Sequence, residues 1–260
     1  MTQSQVDFYK WYDKTHGDGE CPVEEFKDKK GSWSDEFKKL AKIRKGCKVT
    51  NYSATYGASY AKIAEGADAA GIDWWTTWSD APGSAEDGVI ADLDGNKCAY
   101  LTYGNDQVLL LGGTSSGVYD LEFDILIPEG KNGYFNILHD FNGGNSTWAL
   151  ESHLHMSSSS TSAPGQGAVV AGGLNETIVC VYDEWMHFRL HVDTDADVAQ
   201  YYYTTPGNDE ILVCEWQWSL NSFGDAVDGR ELDAMNFFPP DAYSEYYLDN
   251  FTCTRIGGET

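Results

Sequence analysis

An all-β, two-sheet antiparallel jelly-roll sandwich with a partly helical N-terminal segment is the fold this sequence predicts, on three observations. Apolar and polar residues alternate with period two in many short runs, as in Tyr119-Asp120-Leu121-Glu122-Phe123-Asp124-Ile125 and Phe188-Arg189-Leu190-His191-Val192. Strand side chains alternate faces, so such runs bury one face and wet the other. Turn residues separate the runs, and aromatics reach 14%, with 16 Tyr and 9 Trp among 260 residues.

Residues 1–30 are polar and irregular, with Gly17, Gly19 and Pro22 as breakers. Ser34 is a candidate N-cap for a helix over 35–45, with acids in its first turn, bases in its last and Gly46 after it. Phe37, Leu40 and Ile43 then share one face. Residues 51–71, rich in Ala, Gly, Ser and Tyr, read as irregular structure. Strands are expected at 98–103, 107–111, 117–127, 133–141, 147–156, 168–171, 177–182, 185–193, 198–204, 211–218, 233–238 and 245–256. Gly112-Gly113, Pro128-Glu129-Gly130, Asn142-Gly143-Gly144, Gly172-Gly173 and Pro206-Gly207-Asn208 punctuate them. Ser157–Ser160 with Thr161 and Ser162 reads as a low-complexity loop. The resulting division is an N-terminal segment, 1–70, which is a candidate for assembly or capping, and a sandwich over 71–260.

The formal charge is −24. Residues 1–48 carry a net +2 and residues 49–260 a net −26, so the two parts differ in kind. Phosphate chains and anionic membrane surfaces are repelled by such a body, which excludes nucleic acid as a partner. No run of about 18 apolar residues exists to insert into a membrane. No signal peptide opens the sequence as given. Six cysteines form no C-x-x-C pair. Four of them lie in strand-like runs, which suits disulfides in an exported protein or, equally, buried thiols. The expected pairs are Cys180–Cys214, Cys98–Cys253 and Cys21–Cys47.

At residues 74–87 (WWTTWSDAPGSAED) the chain resembles a domain recurrent in exported Bacteroidetes proteins, itself similar to concanavalin A-like and laminin-G-like lectin sandwiches. The resemblance continues through Ser116–Tyr119, Gly133–Asn136, Ser146–Trp148, Trp185–Phe188, Glu215–Ser219, Met235–Phe238 and Tyr246–Asn250, and covers about 72–256. It implies a surface or secreted protein, of a kind often found beside adhesin or enzyme modules and a type IX secretion tail. It attaches no activity. Residues 1–70 depart from the family's usual short acidic lead-in.

Candidate chemistry falls into five groups. Glu122 and Asp124 resemble the Glu-x-Asp strand of laminarinase-type glycosidases, in which a second Glu completes a carboxylate pair. Here the slots for that Glu hold Leu126 and Ile127, so a solvated acidic face is the better reading. Glu151, His153 and His155 alternate on one strand, and His187 and His191 on another, which fits either a metal or a polar open face. Asp193, Asp195 and Asp197 resemble half of a calcium loop, yet position 6 holds Val198 and position 12 holds Thr204, and Asp also favours a hairpin turn. Trp216 and Trp218 share a strand face that either stacks on sugar rings or packs in the core. Trp74, Trp75 and Trp78 read as a plug at the sandwich edge. Sequons occur at Asn51, Asn145, Asn175 and Asn250; in a bacterial protein they would be chance matches.

Strands 133–141, 147–156 and 185–193 are expected to neighbour one another in one sheet. Phe135, Ile137, Leu150, Leu154, Phe188, Leu190 and Val192 then point to the core. Asn136, Asp140, Glu151, His153, Arg189 and His191 face outward as a ligand site, with Trp216 and Trp218 as stacking partners. The functional reading is an extracellular, non-catalytic recognition or adhesion module for a polysaccharide or surface glycan, with calcium as a candidate ion. The alternatives are a subunit of a surface layer or fibre, self-associating through residues 1–70, and a polysaccharide hydrolase or lyase. No Ser-His-Asp, P-loop or dinucleotide signature appears.

Overall fold

The computed structural model describes residues 53–55, 75–81, 83–158 and 161–256. They form two stacked antiparallel sheets, as the alternation demands. In chain order the strands are β1 (Ser53–Thr55), β2 (Trp75–Thr77), β3 (Val89–Leu93), β4 (Asn96–Thr102), β5 (Gln107–Thr114), β6 (Val118–Leu126), β7 (Gly133–Asp140) and β8 (Thr147–Ser158). There follow β9 (Thr161–Ala171), β10 (Leu174–Val179), β11 (Trp185–Asp193), β12 (Val198–Thr204), β13 (Ile211–Gln217), β14 (Leu232–Phe237) and β15 (Glu245–Ile256). The back sheet runs β13-β12-β11-β6-β15-β4-β3, with β1 added to β15. The front sheet runs β10-β9-β8-β7-β14-β5-β2. No helix among the described residues is long and apolar enough to cross a membrane. The expected helix over 35–45 and the Cys21–Cys47 pair lie outside the described residues.

The core follows from parity. On β6, Tyr119, Leu121, Phe123 and Ile125 are buried while the acids between them stay half-exposed. Phe123 is the hub. It stacks on Phe251 at 5.2 Å and Phe188 at 5.6 Å, and meets Phe135 and Phe237 edge-on at 5.0 and 5.7 Å. Phe188 and Phe251 come from the back sheet and Phe135 and Phe237 from the front, so one ring ties both layers together. Each such side chain contributes about 1.5–3 kcal/mol by leaving water.

Three expectations about architecture are corrected. The strand at 185–193 is β11, and its neighbours are β6 and β12 in the back sheet, whereas β7 and β8 belong to the front sheet. Its inward residues do point to the shared core, but its outward ones open on the opposite side of the molecule. The Ser-rich stretch is not simply a loop: β8 runs through Ser158 and β9 resumes at Thr161, paired with it. Strands also begin earlier than 98, because β2 and β3 precede it, and Trp75 of β2 packs on Phe237 and Phe251 inside the core.

The two expected long-range disulfides do not form: Cys98, Cys180 and Cys214 are free and buried. Ala99 of β4 pairs with Leu248 of β15, so Cys253 sits several residues further along its strand from Cys98. At about 3.3 Å per residue that exceeds the reach of a disulfide. Cys180 follows the front-sheet edge strand β10 and Cys214 lies on the back-sheet edge strand β13, one in each layer. Burial pushes each of the three thiols up to about 12, which makes them unreactive. Cys253 is disulfide-bonded.

The two layers approach closely at one turn. Gly172, between β9 and β10, has φ +56°, and a Cβ built there would lie 2.7 Å from the Trp216 side chain. Only glycine tolerates both conditions.

Candidate functional site

The open face of the front sheet carries a cleft of about 310 Å³, lined by side chains from five places in the chain. Its floor is polar. Tyr134 and Asn136 of β7 stand opposite His153 and Glu151 of β8, and Asn136 also stands opposite Asn236 of β14. These residues share a face because each is two positions from the next on its own strand and in register across strands. Asp106 closes the row at the mouth of β5. It is fixed there by backbone bonds, Trp78 N–H to Asp106 O at 2.9 Å and Asp106 N–H to Glu86 O at 2.7 Å. The Gln107 side chain adds two more, donating to Thr76 O at 2.7 Å and accepting from Gly88 N–H at 2.8 Å.

The wall is aromatic. Trp78 and Trp148 stack at 6.2 Å with ring planes 25° apart, and Phe141 meets Trp78 at 5.4 Å. Val108, Leu138 and Ala234 lie buried beneath them as a small second core. Phe238, 36% exposed, and Pro240 complete the lining.

A continuous hydrogen-bond chain runs along the floor. Asn236 Nδ2 donates to Asp106 Oδ1 at 2.6 Å and to Gln107 O at 3.2 Å. Asn136 Nδ2 donates to Asn236 Oδ1 at 2.9 Å and to Tyr134 Oη at 3.4 Å. The Tyr134 hydroxyl donates to Glu151 Oε2 at 3.1 Å, and Ser222 Oγ donates to Glu151 Oε1 at 2.9 Å. Two floor atoms have no protein partner, Asn136 Oδ1 and His153 Nδ1. Burial raises the Asp106 carboxyl to about 6; the Asn236 bond opposes this and the nearby Glu86 charge adds to it. Burial also lowers the His153 imidazole against the pull of Glu151, which favours the neutral ring. The Tyr134 phenol is raised, first by burial and then by Glu151, so it stays a donor.

Of the residues singled out in the sequence, Asn136, Glu151 and His153 come together in this cleft. Asp140 does not: it is exposed at the end of β7, in a separate polar hollow with Thr147, Asn221 and Asp228. Arg189 and His191 lie on the far side of the molecule, on the back sheet's open face. There Arg189 forms a two-pronged pair with Glu210 at 2.8 and 2.6 Å and lies 3.9 Å over the Tyr202 ring. His191 bonds Asp120 at 2.7 Å and His187 bonds Asp124 at 2.7 Å. Glu122 and Asp124 thus form the half-wet acidic face expected of them. His155 leaves its alternating row through a bulge at φ +57° and stacks on Tyr182 at 3.6 Å, while its Nδ1 accepts from Gly165 N–H.

Trp216 and Trp218 face inward, away from the open face. Both are buried in the main core, and Trp218 Nε1 donates to Arg230 O at 2.9 Å. The acidic run after β11 is a hairpin turn. Asp193 Oδ1 accepts from Ala196 N–H at 2.7 Å, Asp197 adopts φ +61°, and its carboxylate takes bonds from Ser219 and Gln217 and an ion pair with Arg230 at 3.3 Å. Those oxygens are engaged by the protein, and Asp195 joins no cluster. Among the described residues no group of three or more His, Cys, Asp or Glu side chains is placed to hold a metal ion.

Sequence reasoning misses Tyr134, Asp106, Asn236, Trp78 and Trp148 as site residues. The first was legible, being two positions from Asn136. Trp78 is expected as an edge plug, but it forms the cleft wall, while its neighbour Trp75 packs in the core; Trp74 lies outside the described residues.

No family model and no curated protein matches the chain. Solved structures do resemble it. A sialidase shares 14% identity at a TM-score of 0.49 over 76% of this chain, which spans only 18% of that protein. The catalytic domain of a GH131 β-glucanase from Podospora anserina shares 13% identity at 0.48, covering 80% of this chain and 93% of its own. Lectin I-B4 from Griffonia simplicifolia shares 10% identity at 0.44, covering 79% and 99%.

Proposed function

We infer that the protein is an extracellular, non-catalytic recognition module that binds a glycan in the cleft of its front sheet. The observation that carries this is the pairing of an aromatic wall, Trp78 and Trp148, with a polar floor whose Asn136 Oδ1 and His153 Nδ1 lack protein partners. A pyranose ring has apolar C–H faces and hydroxyls at its rim, and such a cleft meets both. A location outside the cell accords with the family resemblance of residues 72–256.

Binding is preferred to hydrolysis because of how the carboxylates stand. Glu151 lies on β8 and Asp106 directly precedes β5, with β14 and β7 between those strands, so their backbones lie roughly 14 Å apart across the sheet at about 4.8 Å per strand. A retaining pair works at about 5 Å. Both oxygens of Glu151 are already held by Tyr134 and Ser222. The test is a glycan array followed by a reducing-end assay on whatever binds. Retention of a glycan without release of reducing ends supports the reading; release of reducing ends assigns the cleft to a hydrolase, and an array with no hit removes the glycan role. A surface-layer subunit built through residues 1–70 would instead show itself as large particles in solution.

A further inference from the structure

The floor of the cleft has a direction, and the two carboxylates at its ends set it. Amide oxygen and nitrogen are told apart by their partners, and here the partners leave one choice. At one end Asp106 Oδ1 and Gln107 O can only accept, so Asn236 must turn Nδ2 toward them. Its Oδ1 then faces Asn136 and takes Asn136 Nδ2. At the other end Glu151 accepts the Tyr134 proton, so the Tyr134 oxygen is free to accept the second Asn136 N–H. Asn136 is drawn from both sides. It gives its amide protons to the floor and keeps a bare oxygen, 2% exposed as a residue and without a partner.

The consequence is a floor made mainly of acceptors: Asn136 Oδ1 and the remaining lone pairs of Asp106 and Glu151, beside a neutral His153 ring that offers one donor and one acceptor nitrogen. Among the described residues no Lys or Arg lines the cleft. A ligand there must bring donors and no negative charge. Hydroxyls satisfy this; a carboxylate would meet acceptors and two like charges in a partly desolvated site. A site built around unpaired acceptors rejects a ligand that cannot fill them far more strongly than an apolar pocket rejects a misfit.

We propose that the Asp106–Asn236–Asn136–Tyr134–Glu151 chain makes the cleft selective for uncharged, hydroxyl-donating sugar chains and closes it to uronates. This rests on the glycan reading above and deepens it.

The experiment is calorimetric titration of the full chain with neutral hexaoses (cellohexaose, laminarihexaose and mannohexaose) and acidic ones (galacturonate and mannuronate hexamers). At least one neutral hexaose should bind, with both acidic hexamers at least tenfold weaker. Asp106→Asn, confirmed as folded by circular dichroism, should narrow that gap. An acidic hexamer that binds as well as the neutral ones overturns the selectivity while leaving the glycan reading in place. Silence from all five removes the glycan reading itself. The chain is tested without any ligand by following the Asn236 side-chain amide protons by NMR, which should shift with a midpoint near the Asp106 value of about 6. Amide signals indifferent to pH across that range would overturn the role of Asp106.

Discussion

The two open faces of the sandwich are built from the same kinds of residue and do opposite things with them. The back face holds Asp120, Glu122, Asp124, His187, Arg189 and His191, and every charge that reaches across strands finds another: Arg189 with Glu210, His191 with Asp120, His187 with Asp124. The front face holds Asp106, Glu151, Asn136, Asn236 and His153, joined in a row that stops one partner short at Asn136 Oδ1 and His153 Nδ1. The back face is complete in itself. The front face leaves those two atoms without a protein partner, and an aromatic wall stands beside it. Polarity on a strand therefore says little about function until its partners are counted.

That contrast can be broken in four ways, from the largest effect to the smallest. Trp218→Ala tests whether the tryptophan pair of β13 is core or ligand surface. Trp218 is fully buried, so its loss should remove about 3–5 kcal/mol of stability, read by denaturant unfolding. A variant that keeps its stability and loses only glycan binding would return Trp218 to the site. Trp148→Ala removes half of the stacked wall and should weaken glycan binding about tenfold, equivalent to about 1.4 kcal/mol, with the sandwich still folded. Unchanged affinity by calorimetry would detach the wall from the ligand.

Arg189→Ala should leave glycan binding alone. Sequence parity made this residue a ligand contact, but it sits on the opposite sheet from the cleft. Its exposed pair with Glu210 contributes within about 1 kcal/mol, so the midpoint of unfolding should barely move. Any loss of binding would mean that the back face takes part. The smallest effect is electrostatic. The hydrogen bond that His187 donates to Asp124, then the charges of Asp124, Glu122 and Glu210, raise the His187 imidazole above its ordinary value despite partial burial. A raised folded value means that the contribution is fully present below the ordinary histidine range and fades as pH rises through the folded one. NMR titration of His187 should show the raised midpoint, and Asp124→Asn should return it toward normal. A midpoint already at the ordinary value would show the pair to be unformed in solution.

Much of this was legible in the sequence because alternation is local. The inward sets Phe135, Ile137, Leu150, Leu154 and Phe188, Leu190, Val192 are all in the core. Which sheet a strand joins is not local. Arg189 is opposite Glu122 and Asn136 is opposite Glu151, yet nothing within either strand distinguishes the two neighbourhoods. For that reason the same rule chose three residues that line the cleft and two that lie on the opposite sheet, while Asp140 falls at the end of its strand, in a separate hollow. The tryptophans at the end of β13 were more readable than their assignment allowed, since Glu215 and Gln217 on either side of Trp216 are polar and exposed, which turns Trp216 inward. Asp106 was hidden differently. It follows Gly104-Asn105, where an acid looks like turn punctuation, and only the arrival of Asn236 from 130 residues away gives it a role.

The meeting of Gly172 and Trp216 bears on how this fold can drift. The indole occupies the space a side chain at 172 would need, and the left-handed backbone there excludes most residues on its own account. The two positions are thus bound into a single unit of variation. In relatives of this chain a tryptophan at the place of Trp216 should be accompanied by glycine at the place of Gly172, and loss of that glycine should appear together with a smaller residue opposite. The pair offers a signature for aligning distant members across a region where turn lengths would otherwise blur the register.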